Sequence, residues 1–316
     1  MKRVEEIGIV PVIAIDDAEK AVPLAHALAN GGIPAAEVTF RTAAGEQAIK
    51  NIAKACPDIL LGAGTVLNIE QADRALNAGA RYIVSPGYNS ELVRYCVKNE
   101  VPVLPGCVNA SDLTRAINDG LSVVKFFPAE QAGGISAIKT LAPVFPALRF
   151  MPTGGVNLRN LLDYLTFPKV IACGGTWMVK KDLIEGERFC EIEQICRDAV
   201  QTMLGFNLVH IGINSDDAAG AENTAGLFDS AFGFRCKDET ISVFAGSYVE
   251  CMKGNGRGAK GHIAIGTYHV GRAEAYLRQK GFHFVEETRK ADANGCTKLI
   301  YLEEDFNGFA IHLIQR

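Results

Sequence analysis

The chain has 316 residues, longer than a typical single domain, so two domains or one large barrel are expected. Apolar residues make up 48% and charged residues 22%, the balance of a globular protein with ample core, and a net charge of -4 argues against a nucleic-acid footprint. No apolar run approaches membrane-spanning length and no two of the nine cysteines form a C-x-x-C pair, so reduced thiols in a cytoplasmic protein are expected.

The start, MKRVEEIGIVPVIAIDD, sets two basic residues before an apolar run, in the manner of a signal peptide. Glu5, Glu6, Pro11 and the pair Asp16–Asp17 break that pattern, and no small-residue cleavage site follows. From there to about Cys196 one theme recurs: a short β-branched apolar run ends in Gly, Pro or Thr, and a stretch rich in Ala, Leu and Glu follows. The runs are VPVIAI (centred on 11–15), AAEVTF (35–40), ILLGAGTV (59–66), RYIVSPG (81–87), VPVLPG (101–106), VVKFFPA (123–129), RFMPTGG (149–155) and KVIACGG (169–175). Between them, AEKAVPLAHALANGG and SELVRYCVKNE are amphipathic at helical period. Strands that alternate with helices give a parallel sheet, and eight such units in roughly 200 residues are the count of a compact α/β fold, the (β/α)8 TIM barrel. A doubly wound open sheet is the alternative, but no G-x-G-x-x-G opens the first unit.

A barrel places function at the C-terminal ends of its strands. In EVTFR, the two-residue period of a strand puts Glu37, Thr39 and Arg41 on one face. Glu37 and Arg41 are either a structural ion pair or a working pair, in which Arg41 forks onto a substrate carboxylate and Glu37 shuttles protons. Thr65 of GAGTV and Thr153 of PTGG offer hydroxyls at strand ends. In VVKFFPAE the same alternation aligns Val123, Lys125 and Phe127. Lys125 either snorkels from its strand end or is a nucleophile, because burial penalises the ammonium and frees the lone pair to attack a carbonyl. Gly154–Gly155 and Gly174–Gly175 end the seventh and eighth runs, where barrel enzymes commonly hold a phosphate on bare backbone N–H groups.

After the stretch ERFCEIEQICRDAVQTMLG (187–205), which reads as a closing helix, the texture changes. A strand (NLVHIGIN), a helix (AENTAGLFDSAFGF) and strands through SVFAGSYVECM lead to a glycine-rich joint, GNGRGAKG. A strand (HIAIGTYHV), a helix (RAEAYLRQKG) and three strand-like runs ending FAIHLIQR follow. The repeat of roughly 50 residues predicts a smaller α+β domain of paired βαβββ modules over 206–316.

The combination EVTFRT, GAGTV, SPG, KFFPAE, PTGG and GGTW, in order and at family-like spacing, resembles the class I 2-keto-3-deoxy-6-phosphogluconate (KDPG) aldolases over roughly residues 1–204. Members of that family often also cleave 4-hydroxy-2-oxoglutarate (KHG). The resemblance implies a class I aldolase barrel over residues 1–205, with Lys125 forming a Schiff base with pyruvate and Glu37 as acid/base. Arg41, Thr65 and Thr153 would hold the pyruvyl end with Phe127 packed against it, and Gly154, Gly155, Gly174, Gly175 and Thr176 would bind the phosphate. Thr176 stands where many members have serine. The resemblance further implies a small keto-acid substrate, no cofactor for the cleavage, and a homotrimer. A phosphate-binding isomerase or epimerase that uses a carboxylate base alone is the alternative activity, and a non-catalytic ligand sensor a third reading.

The doubled C-terminal layout resembles the vicinal oxygen chelate group, which includes glyoxalase I and extradiol dioxygenases. The resemblance brings four residues forward as metal ligands: His210, Glu250, His262 and His312. Imidazoles with one carboxylate suit Zn, Ni or Fe(II). Glyoxalase-like sites more often carry a carboxylate where His312 stands. The alternatives for this region are satisfied core groups, a regulatory module and an oligomerising appendage.

Overall fold

A computed structural model describes residues 1–293 and 295–316. The chain divides into two compact units, Met1–Met203 and Leu204–Arg316.

The first unit is built on parallel strands β1 (Ile9–Ile13), β2 (Ala35–Thr39), β3 (Leu60–Gly64), β4 (Tyr82–Val84), β5 (Val103–Leu104), β6 (Gly106–Cys107), β7 (Val123–Phe126), β8 (Arg149–Pro152) and β9 (Cys173–Gly175). β1, β2 and β4 are buried along their whole length, which is why they read as continuous apolar runs: helices cover a parallel sheet outside and side chains fill it inside. The alternation of strands and helices expected from the sequence is present. The ladder lies in two arcs, β5-β4-β3-β2-β1-β9 and β6-β7-β8, and not in one continuous ring of eight. At one seam the run 101–106 is cut by Pro105, which has no N–H to give to a ladder but accepts from the Lys125 N–H (3.0 Å). At the other, the isolated bridges Phe150–Val170 and Thr153–Gly174 join the β8 segment to Val170 and to β9.

Three successive helices, Ile69–Ala78, Ser90–Lys98 and Ala110–Asn118, are each preceded by an asparagine whose side chain accepts from a backbone N–H of the first turn. Such caps contribute about 1 kcal/mol each. The stretch read as a closing helix from 187 begins at Phe189, because Glu187 takes a left-handed φ of 54°. A six-residue helix, Lys2–Ile7, precedes β1 and was not anticipated from the pattern. Its Val4 packs into a buried cluster with Val10, Tyr82, Val84, Leu104, Val123, Met151 and Ile171. Full burial of such side chains stabilises by about 1.5–3 kcal/mol apiece.

The second unit carries β10 (Asn207–Ile213), β11 (Cys236–Asp238), β12 (Ser242–Ala245), β13 (Val249–Met252), β14 (Gly261–Thr267), β15 (Phe284–Ala291), β16 (Thr297–Leu302) and β17 (Phe309–Gln315) in one mixed sheet. The order β11-β12-β13-β10-β14-β17-β16-β15 is two βαβββ modules joined edge to edge. β10 pairs parallel to β13 as β14 does to β17, and β10 and β14 pair antiparallel across the centre. Among the described residues no helix is long and apolar enough to cross a membrane.

Candidate active site

β2 and β7 bring the buried side chains of Glu37 and Lys125 together. Lys125 Nζ lies 3.2 Å from Glu37 Oε1, with the residues 5% and 1% exposed. The ammonium also sits 5.2 Å from the centre of the Phe127 ring, a cation–π contact. Glu37 spends one oxygen on Lys125; its Oε2 is buried with no hydrogen-bond partner. Both side chains open onto a cavity of about 290 Å³ lined by Val12, Glu37, Arg41, Thr65, Pro86, Lys125, Phe127, Thr153, Gly154, Gly155, Val156, Gly175 and Thr176.

Arg41 departs from the strand-face reading, and neither Thr39 nor Gly174 stands on the cavity wall. β2 ends at Thr39, so Arg41 is not on the strand at all; it reaches the cavity from the turn that follows and is exposed. Thr39 faces inward but gives its hydroxyl to the Ile13 carbonyl (2.9 Å), and it is absent from the cavity wall. Gly174 is not on the wall either. A Cβ there would lie 2.3 Å from Thr153 Oγ1, so Gly174 makes room for the hydroxyl of its bridge partner. Thr65 lies one residue past β3, half-buried, with a left-handed φ of 58°. Thr153 is buried at the wall with a hydroxyl that has no partner.

Val12, Pro86 and Val156 line the cavity without having stood out in the sequence. Apolar wall residues leave no chemical mark, and Pro86 gave only the turn signal of SPG. Tyr82 was also missed: it is fully buried with an unpartnered hydroxyl, and burial, then the Glu37 charge, raise its pKa. An unpaired buried polar group costs free energy, and Glu37 Oε2 and Thr153 Oγ1 are two such atoms, each on a residue of the cavity wall.

In the second unit the four central strands each supply one side chain to a single point. His210 (β10), Glu250 (β13), His262 (β14) and His312 (β17) take pairwise equivalent places in the two modules. His210 sits opposite Ala264 and His262 opposite Gly212, while Glu250 sits opposite Gly212 and His312 opposite Ala264. Nε2 of His210 and Nε2 of His262 are 3.1 Å apart, and Glu250 Oε2 is 3.2 and 3.1 Å from them. A ligand nitrogen from each of the three histidines lies within 4.8 Å of the others. Atoms bound roughly 2.0–2.2 Å from one tetrahedral metal lie roughly 3.3–3.6 Å apart; the contacts among His210, His262 and Glu250 (3.1–3.2 Å) are close to that spacing, while the spread of the three histidines reaches 4.8 Å. Gly212 has no choice of side chain, since a Cβ there would lie 2.0 Å from the His262 ring. Ser242 donates to the other Glu250 oxygen (2.7 Å) and fixes the carboxylate. Burial would raise the Glu250 pKa, but hydrogen bonds from His210, His262 and Ser242 outweigh it and hold the group well below the usual carboxylate range. Burial, then the His262 and His210 charges, push His312 down to about 3, which leaves its imidazole neutral as a ligand must be. His312 Nδ1 is buried without a partner.

A buried primary amine against a carboxylate, at the mouth end of a parallel α/β sheet, is the equipment of a lysine-dependent carbon–carbon lyase. The chain belongs to the KDPG and KHG aldolase family, whose model matches residues 1–195. It is 46% identical over 197 residues to the 2-dehydro-3-deoxy-phosphogluconate aldolase of Treponema pallidum, an alignment that spans 62% of this chain and 94% of that protein. Among solved structures it resembles the KDPG aldolase of Legionella pneumophila, with pyruvate captured as a covalent carbinolamine intermediate, at 40% identity and a TM-score of 0.61, covering 62% of this chain and 96% of that one. It also resembles the 2-keto-3-deoxy-6-phosphogluconate aldolase of Zymomonas mobilis with 3-phosphoglycerate, at 38% identity and a TM-score of 0.59, covering 63% and 93%.

Proposed function

We propose that the first unit reversibly cleaves KDPG to pyruvate and glyceraldehyde 3-phosphate, and KHG to pyruvate and glyoxylate, through a Schiff base on Lys125. The observation that carries this reading is the buried Lys125–Glu37 contact of 3.2 Å at the cavity wall. The relatives named above are aldolases of this type, one with pyruvate bound covalently. A closed (β/α)8 barrel is the architecture inferred from the two arcs of parallel strands.

Glu37 receives a proton from Lys125, and the neutral amine attacks the C2 carbonyl to give a carbinolamine. Glu37 gives that proton to the carbinolamine hydroxyl, and loss of water leaves a protonated imine, an electron sink, with Glu37 again a carboxylate. The C3–C4 bond then breaks, its electron pair moves into the iminium as the enamine of pyruvate, and the C4 hydroxyl proton passes to Glu37, directly or through one water. Glu37 returns a proton to C3, and water hydrolyses the imine to release pyruvate and the free lysine. The iminium supplies the polarisation that a Lewis acid otherwise provides, so the step has no role for a metal. Arg41 and the Thr153 hydroxyl hold the pyruvyl carboxylate, Thr65 supports them, and Phe127 packs on the methyl side. The bare backbone of Gly154, Gly155 and Gly175, with the Thr176 hydroxyl, takes the phosphate, and Gly174 serves by leaving room for Thr153. An isomerase that uses Glu37 alone gives Lys125 no covalent task. Cleavage assays with KDPG and KHG, coupled to pyruvate detection, test the reading; absence of pyruvate release from both substrates overturns it. The family likeness also carries the expectation of a homotrimer.

For the second unit, the convergence of three imidazoles and one carboxylate favours a divalent metal site of the vicinal oxygen chelate kind, held by His210, Glu250, His262 and His312. The ion would supply Lewis acidity there, with Ser242 orienting Glu250. Stoichiometric metal in purified protein, lost in His262→Ala, supports this; no retained metal after loading with Zn, Ni or Fe(II) refutes it.

A further inference from the structure

The turn that ends β8 is shaped by side chains that do not line the cavity. Gly154 and Gly155 take φ values of 98° and 80°, a region only glycine enters without strain. On one side Gly155 rests against Glu130: a Cβ at Gly155 would lie 2.5 Å from Glu130 Cγ. The Glu130 backbone N–H donates to the Gly154 carbonyl (3.1 Å), and its carboxylate accepts from the hydroxyl of Tyr164. On the other side the Gly155 carbonyl accepts from Asn157 Nδ2 (3.0 Å) and Asn160 Nδ2 (3.2 Å), and the Asn157 N–H donates to Asn160 Oδ1 (2.8 Å).

Tyr164 is 1% exposed, on the short helix Leu161–Leu165, whereas Glu130 is exposed. A surface carboxylate has water to satisfy it and gains little from a buried phenol on its own account. Its position beside the glycine turn gives the contact a purpose. An untethered Glu130 carries a negative charge that is free to swing along the edge where a phosphate dianion would bind; tethered to Tyr164, the charge is turned away and the turn is wedged from behind.

We propose that Tyr164 and Glu130 are positioning residues for the phosphate end of the substrate. The pair holds Gly154–Gly155 with its backbone donors toward the cavity and keeps the Glu130 charge off the phosphate, while Asn157 and Asn160 fix the turn from its carbonyl side. This rests on the phosphate site proposed above and adds residues outside the cavity wall to it.

Tyr164→Phe removes the tether and little volume. In the full-length protein, KM for KDPG should rise about tenfold with kcat within twofold, and the inhibition constant of inorganic phosphate should rise by a similar factor. Borohydride trapping of pyruvate on Lys125, which involves no phosphate, should proceed as in the unaltered protein. Adding Glu130→Gln to Tyr164→Phe should recover part of the lost phosphate affinity, because the freed charge is gone. Equal weakening of pyruvate trapping and of KDPG binding would mean general damage and overturn the proposal, as would an unchanged KM for KDPG. Should Tyr164→Phe fail to fold, Asn160→Ala carries the same comparison. Failure of the unaltered protein to trap pyruvate would instead refute the aldolase reading.

Discussion

Replacing Glu37 with glutamine keeps the volume of the side chain and removes its capacity to carry a proton. The carboxylate is buried, gives Oε1 to Lys125 at 3.2 Å and leaves Oε2 free at the cavity wall. Glutamine retains an oxygen that can accept from Lys125, so the lysine stays oriented and substrate still enters the same cavity. What disappears is the group that takes the C4 hydroxyl proton and delivers one to C3. General acid–base groups contribute about 10²–10⁴-fold, equivalent to about 3–5 kcal/mol of barrier. The expected result for Glu37→Gln is therefore a kcat for KDPG cleavage lower by that factor with KM within about threefold. Exchange of the pyruvate methyl protons with D2O, followed by proton NMR, should fall in parallel because it needs the same proton delivery. A Glu37→Gln enzyme that retains more than a tenth of the original kcat and exchange rate would refute the assignment, since another group would then be moving the proton.

Thr153→Val removes a buried hydroxyl with no partner in the free protein; the melting temperature should hold or rise, while KM for both KDPG and KHG should rise about tenfold, about the worth of one hydrogen bond to a charged group. A drop of several degrees with unchanged KM would show the hydroxyl to be structural. Treatment with a chelator should leave KDPG cleavage unaltered while removing metal from the second unit, read by elemental analysis beside the aldolase assay; parallel loss of cleavage contradicts the separation of the two chemistries. Gly212→Ala drives a methyl group to within 2.0 Å of the His262 ring, so metal content should fall at least tenfold at a cost of about 1–3 kcal/mol in stability; full metal retention would contradict the assigned ligand geometry.

Lys125 and Glu37 were legible because a strand buried on both faces carries an ionisable side chain only where something answers it, and two-residue alternation named the face. Alternation failed just past the strand ends, where the chain leaves the ladder: it put Arg41 on the strand face with Glu37, whereas Arg41 and Thr65 reach the cavity from turns. Thr39 obeyed alternation and yet serves the scaffold, because strand pairing brings the Ile13 carbonyl within its reach. The split of the ladder at Pro105 follows from a missing N–H and was visible in VPVLPG as a proline, though read there as a strand end. The leading helix escaped because six residues are too few for a periodic signal. In the second unit the repeat was visible, but the meeting of His210 with His262 depends on the central antiparallel register, which a two-residue slip would undo and which no local pattern encodes.

The lysine's chemistry is tested most directly by incubating the protein with pyruvate and sodium borohydride and mapping the product by peptide mass spectrometry. The expected result is a stable reduced adduct on Lys125 alone, accumulating in step with the loss of KDPG cleavage. Full retention of cleavage with Lys125 unmodified, or an adduct confined to another lysine, would contradict the account.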